Sequence, residues 1–171
     1  MKKLLSIIII VLSVASCQES QKIGFVDNSV LINDYQEKKD IEANLKGKIE
    51  VYEKKRDSLS QAFQLDVKAA EVKARSMSQA NLQKLQQEFQ QKEQIISQQL
   101  QFQQHQIAKE SQSKNDSLIK KVRDFVNDYG KANGYSFILG SNEAGSVMYG
   151  TEEVDLTQTI LDALNEAYKK K

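Results

Sequence analysis

The side chains able to do chemistry are few and stand apart. Cys17 is the only cysteine and His105 the only histidine in 171 residues. A lone cysteine has no disulfide partner within the chain. His105 has Gln101 and Lys109 four residues to either side, so a helix offers it no second metal ligand. Gly24, Gly130 and Gly134 are too scattered to form a phosphate-cradling loop. The acidic residues fall mostly into helix pairs and caps. Glu42/Lys46, Glu50/Lys54, Glu71/Arg75, Glu88/Lys92, Glu110/Lys114 and Asp116/Lys120 place the acid four residues before the base. That is the better orientation on a helix, worth about 0.2–0.5 kcal/mol per pair. No nucleophile–base pair, metal cluster or cofactor site is predicted, and the chain is expected not to be an enzyme.

The residues that remain are apolar, and their spacing describes what positions them. From Tyr35 to Tyr129 there is no proline, and Gly47 is the only glycine. Both residues disfavour helix interiors, by about 3 and about 1 kcal/mol, so a very long helical region is permitted. Ile41, Leu59 and Met77 are 18 apart, five helical turns, and Leu45 and Phe63 repeat the interval, with Tyr52, Ala70 and Ala74 on the same side. Leu82, Leu100 and Leu118 start a second series, joined by Phe89, Ile107 and Phe125, with Leu85, Ile96 and Tyr129 near the same face. The two stripes differ in phase by roughly a quarter turn. The slip falls at Ser78-Gln79-Ala80-Asn81, which predicts two antiparallel arms with a turn near 78–81; one unbroken helix is the alternative. Thirteen glutamines between Gln83 and Gln112 give the second arm a polar, weakly charged outer face.

Either side of the arms the pattern is that of a small body. Lys22–Asp27 reads as a strand, followed by a capped helical turn at Val30–Ile32, with Asn33 and Asp34 offering a second cap. Tyr135–Leu139 and Val147–Tyr149 read as two further strands. Asp155, with Gln158 three residues on, starts a terminal helix with Leu156, Ile160, Leu161, Leu164 and Tyr168 on one face. The expected fold is mainly α with a small β body: a long antiparallel helical hairpin inserted between short strands, then a C-terminal helix. The arms occupy 35–129, and 23–34 with 130–171 form the body.

Composition narrows the function classes. Hydrophobic residues are 40% of the chain, with neither tryptophan nor proline, which fits a small body with long arms better than a large core. Without Lys2 and Lys3 there are 22 basic and 23 acidic residues. A nucleic-acid partner, which needs a strongly basic face, is not expected. Residues 1–16 read as a secretory signal: Lys2 and Lys3, then a mostly apolar Leu4–Val14 too short to span a bilayer. The ending Val14-Ala15-Ser16-Cys17 resembles the lipobox of bacterial lipoproteins. That resemblance implies an acylated Cys17 at the new N-terminus, a short tether over 17–22, and a periplasmic protein held to a membrane, the outer one favoured. Two or three acyl chains anchor stably where one does not.

The order of these features has a further likeness. An exported leader, KIGFVD, a glutamine- and lysine-rich hairpin, then YSFIL, VMYG and VDLTQTILDALN resemble the Skp/OmpH family of periplasmic chaperones. The resemblance implies a homotrimer whose short strands form a central body. Its hairpins would act as tentacles enclosing unfolded outer-membrane proteins without ATP. Three short strands are too few to be stable alone, so Ile23, Phe25, Phe137, Leu139, Val147 and Tyr149 are the candidate assembly residues; an intrachain core is their alternative role. Val51, Leu65, Val72, Ile95 and Phe102 lie off both stripes and are the candidate client-binding residues. A structural coiled-coil lipoprotein, serving as spacer or tether, is the alternative function and has little need of them. The arms carry 17 basic and 14 acidic residues, too slight an excess to predict capture of anionic lipid.

Overall fold

The computed structural model describes residues 21–142 and 145–170. Cys17, the leader and the first part of the tether lie outside them. Strand β1 (Ile23–Asp27) leads into helix α1 (Asn28–Asp34). The long helices α2 (Gln36–Ala74) and α3 (Gln79–Ala132) form the hairpin. Strand β2 (Phe137–Ser141), a 3-10 turn (Glu152–Val154) and helix α4 (Thr157–Lys169) complete the chain. At about 1.5 Å per residue the long helices run roughly 60 and 80 Å.

β1 and β2 pair in parallel, with Ile23 opposite Phe137 and Phe25 opposite Leu139. Parallel neighbours need a crossover, and the whole hairpin is that crossover. Burial alternates along β1 as period two requires. Gly24 and Val26 face inward; Ile23 and Phe25 face out. Gly24 is required by close approach, since a Cβ there would lie 2.5 Å from the Leu156 side chain.

The core lies where the hairpin is rooted. Val26, Leu31, Tyr35, Leu118, Val122, Leu156, Ile160, Leu161 and Leu164 form one buried cluster drawn from β1, α1, α4 and the body end of α3. The expected apolar face of α4 is thus the buried one. Beyond Leu45 the arms have no fully buried side chain until Leu118; their seam is half-buried. The inward positions are those of the two stripes: Tyr52, Leu59, Phe63 and Ala70 on α2, and Leu82, Phe89, Ile96, Leu100 and Ile107 on α3. Phe63 meets Phe89 across the seam with ring centroids 5.8 Å apart.

Four local expectations are corrected. The turn is at 75–78, about three residues before the expected 78–81. Val147 and Met148 lie in a bend and Tyr149 in no regular element, so this stretch is not a strand; the sheet has two strands, and the free side of β1 makes only an isolated bridge from Phe25 to Asp155. Asn33 and Asp34 do not cap α2; Asn165 of α4 does, its Oδ1 accepting from Gln36 N at 2.8 Å. The acid-before-base ladder is largely unused. Glu110 holds Lys114 at 3.4 Å, but Lys92 crosses the seam to Asp66 and Lys120 pairs with Asp124. Asp27 caps α1 as expected, Oδ1 accepting from Ser29 N at 2.8 Å and Val30 N at 3.1 Å.

Candidate functional site: one flank of the hairpin

The hairpin leaves a set of large apolar side chains in water. Val51, Leu65, Val72, Ile95 and Phe102 are each 64–68% exposed. Helix geometry decides whether they are scattered. At about 100° per residue, and measured from the inward positions Tyr52, Phe63 and Ala70, the α2 trio lies roughly 100–160° round to one hand. Measured from Phe89, Ile96 and Ile107, Ile95 and Phe102 lie roughly 120–140° round to the same hand of α3. In antiparallel helices equal hand means the same flank. The cross-seam ion pairs confirm it: Lys48 with Glu110, at 2.6 Å, and Lys92 with Asp66 join residues at roughly 40–60° on that hand. The contact of Lys38 with Asn115, at 3.5 Å, marks the other flank.

All five side chains therefore share one flank. The Phe63–Phe89 contact and the ion pairs set the heights, and they place Val51 level with Phe102 and Leu65 near Ile95. From Val51 to Val72 the line runs about 30 Å along the arm. Exposed apolar residues scattered singly are ordinary; here five fall in line on one flank. Lysines accompany this one. Lys48, Lys55, Lys73, Lys84, Lys92 and Lys109 fall on the same hand, against Asp66, Glu88 and Glu110. The hydrogen bond from Lys48, with Lys114 adding to it, holds the Glu110 carboxyl below its usual range.

The root of the hairpin fixes how the flank is presented. Tyr35 is 2% exposed and its hydroxyl donates to Glu37 Oε2 at 2.7 Å. Lys121 of α3 donates to both oxygens of Glu37. Burial, and next the Glu37 hydrogen bond, push the Tyr35 phenol well above its ordinary range. Tyr168 donates to Asp40 at 2.9 Å, so α4 braces both the start of α2 and, through Tyr35, the pairing of α2 with α3.

The sequence-derived assembly residues are only partly brought together. The strand register sets Ile23 beside Phe137 and Phe25 beside Leu139 on the outer sheet face, with Ile23, Phe137 and Leu139 44%, 56% and 47% exposed. Val147 and Tyr149 are not on a strand, yet the chain reaches this face at Gly150, where any Cβ would overlap the Phe25 ring. Tyr149 and Met148 stand out beside it, 84% and 90% exposed. Met148 was not singled out from the sequence; it sits between Val147 and Tyr149, and strand alternation would have turned it inward. His105 lies exposed on the outward side of α3. Among the described residues no group of three or more His, Cys, Asp or Glu could hold a metal ion, and no helix is long and apolar enough to cross a membrane.

No curated protein matches the chain. Among solved structures, that of a candidate outer membrane chaperone (OmpH-like) from Caulobacter crescentus CB15 is similar at a TM-score of 0.76. Identity is 17%, over 86% of this chain and 85% of that one, a likeness of fold. The sequence profile of OmpH, outer membrane protein (OmpH-like), matches residues 22–164, and with its strand–hairpin–strand–helix architecture the chain belongs to the Skp/OmpH family.

Proposed function

We propose that this member of a periplasmic, outer-membrane chaperone family is an ATP-independent holdase, gripping unfolded outer-membrane proteins on the apolar flank of its hairpin arms. The observation that carries the reading is the alignment of Val51, Leu65, Val72, Ile95 and Phe102 on one flank, each about two-thirds exposed. The hairpin seam makes no use of them. A spacer rod would be better served by polar residues there, as on the glutamine-rich remainder. Weak apolar contacts in a line suit an unfolded client, because each contact made raises the effective concentration of the next. The accompanying lysines favour clients with acidic segments.

The same reading makes the working form a homotrimer, assembled through the outer sheet face of Ile23, Phe25, Phe137 and Leu139 with the Val147–Tyr149 segment. Two strands alone are marginal, and that face is apolar and open. Cys17 would carry the acyl anchor, and residues 18–22 the tether to the outer membrane. Fatty-acid labelling is expected to mark the wild type and spare Cys17→Ala.

The test of holding is an aggregation assay with an unfolded outer-membrane barrel. The wild type is expected to keep the barrel soluble. Changing Val51, Leu65, Val72, Ile95 and Phe102 together to Gln is expected to weaken this at least severalfold, with helix content and assembly unchanged. Equal holding by the five-site variant would assign these residues no part in it. Failure of the wild type to hold would favour the spacer.

A further inference from the structure

The arms contain one glycine, Gly47, which lies in neither stripe and in no turn. Gly47 sits within α2 with ordinary helical geometry, and a Cβ there would meet nothing within 4 Å. Neither backbone conformation nor close approach requires it. Gly47 lines a crevice of about 630 Å³, with walls that include Val51, Tyr52 and Ile107. That volume is in the range of small-ligand sites, roughly 300–1,000 Å³. Lys48 and Lys55 also line it, and the crevice opens on the flank that carries the exposed apolar strip, with Val51 common to both.

One polar atom in the wall is out of place. Oε1 of Gln103 is shut off from solvent and has no hydrogen-bond partner. A buried acceptor without a donor is unfavourable, so the crevice favours an occupant that brings one. Gln103 lines the crevice, and its terminal torsion is soft. The walls ask for an apolar body. The lysines exclude a cationic donor: Lys48 is already paired with Glu110, and Lys55 has no ion-pair partner among the described residues. A cation above an aromatic face is attractive. Among protein side chains, an apolar aromatic body with a neutral donor at its tip describes tyrosine and tryptophan.

We propose that the crevice beside Gly47 seats one tyrosine or tryptophan side chain of an unfolded polypeptide, its ring on Val51, Tyr52 and Ile107 and its O–H or N–H on Gln103. This rests on the holding function proposed above and gives it a sequence preference: segments are gripped in register with their donor-bearing aromatics, and the apolar strip holds the chain between them.

The chain has no tryptophan of its own, so a tryptophan probe is read without background. The probe is a capped, uncharged Gly/Ser octapeptide with one central tryptophan, titrated with the purified full-length protein and followed by fluorescence emission and anisotropy. Analogues with tyrosine, phenylalanine or leucine at that position then compete with it. Saturable binding is expected, with tyrosine competing about tenfold better than phenylalanine, the size of one net hydrogen bond. Gly47→Leu, which puts a side chain into the crevice and favours the helix, is expected to abolish binding with unchanged circular dichroism. Gln103→Leu is expected to keep binding but level tyrosine with phenylalanine. Phenylalanine or leucine competing as well as tyrosine in the wild type would overturn the proposal, as would undiminished binding by Gly47→Leu. The aggregation assay separates the two readings. Peptide binding without holding leaves the crevice standing and removes the holdase; holding without peptide binding does the reverse.

Discussion

Tyr35 shows what one residue contributes and how little of that its neighbours in sequence disclose. As the last residue before a long polar helix it reads as an edge. In the fold its ring is closed in by α4, with the Tyr168 ring 6.0 Å away edge-on, and its hydroxyl rests on Glu37. The raised phenol pKa has a definite consequence for stability. The folded state holds the proton more tightly than the unfolded one, whose phenol titrates near 10. Stability from this group is therefore complete below about pH 10 and lost as pH rises toward the folded value. Tyr35→Phe is expected to cost about 1 kcal/mol at neutral pH and to flatten the alkaline loss above pH 10 in denaturant titrations. Burial ranks the apolar residues in the same way. Leu118, 2% exposed, should cost about 2–5 kcal/mol on replacement by Ala. Val51→Ala, at 68% exposure, should stay within about 0.5 kcal/mol.

At the scale of elements, the hairpin was legible because seam positions must recur every 3.6 residues over many turns, and both stripes proved inward. The exposed status of Val51, Leu65, Val72, Ile95 and Phe102 was legible for the same reason, by exclusion from the stripes. What periodicity does not carry is where a helix stops. The first apolar set ends at Met77 and the second begins at Leu82, whereas the four-residue turn at 75–78 starts before Met77 and overlaps that window only at Ser78. Val147–Tyr149 failed as a strand because strand pairing depends on a neighbour, which three apolar-rich residues cannot specify. The Gln36–Asn165 cap joins residues 129 apart, and Gln103 and Gly47 are ordinary letters until the arms are paired. Because the seam is only half-buried, single cuts in it are expected to be milder than in the body. Phe89→Ala, which loses the Phe63 ring contact, should lower the arm's protection in hydrogen exchange while protection of Leu118 and Val122 persists.

The whole molecule is a small core with long arms, and the proposed function gives its parts two kinds of partner. The outer sheet face is short, apolar and suited to copies of itself; the arm flank is long, apolar and basic, and suited to an unfolded chain. Light scattering is expected to give three times the chain mass, with a small-angle scattering profile of an elongated particle. A compact monomer at micromolar concentration would contradict assembly through the sheet face. Client contact along the arm flank is open to site-specific photocrosslinking. A photoreactive residue placed at Phe102 or Ile95, on the apolar flank, is compared with one at Gln90 or Gln101, on the other flank of the same helix, in the presence of an unfolded outer-membrane barrel. Strong crosslinking at Phe102 and Ile95 with little at Gln90 and Gln101 is the expected result. Equal yields on both flanks, or none on either, would contradict it.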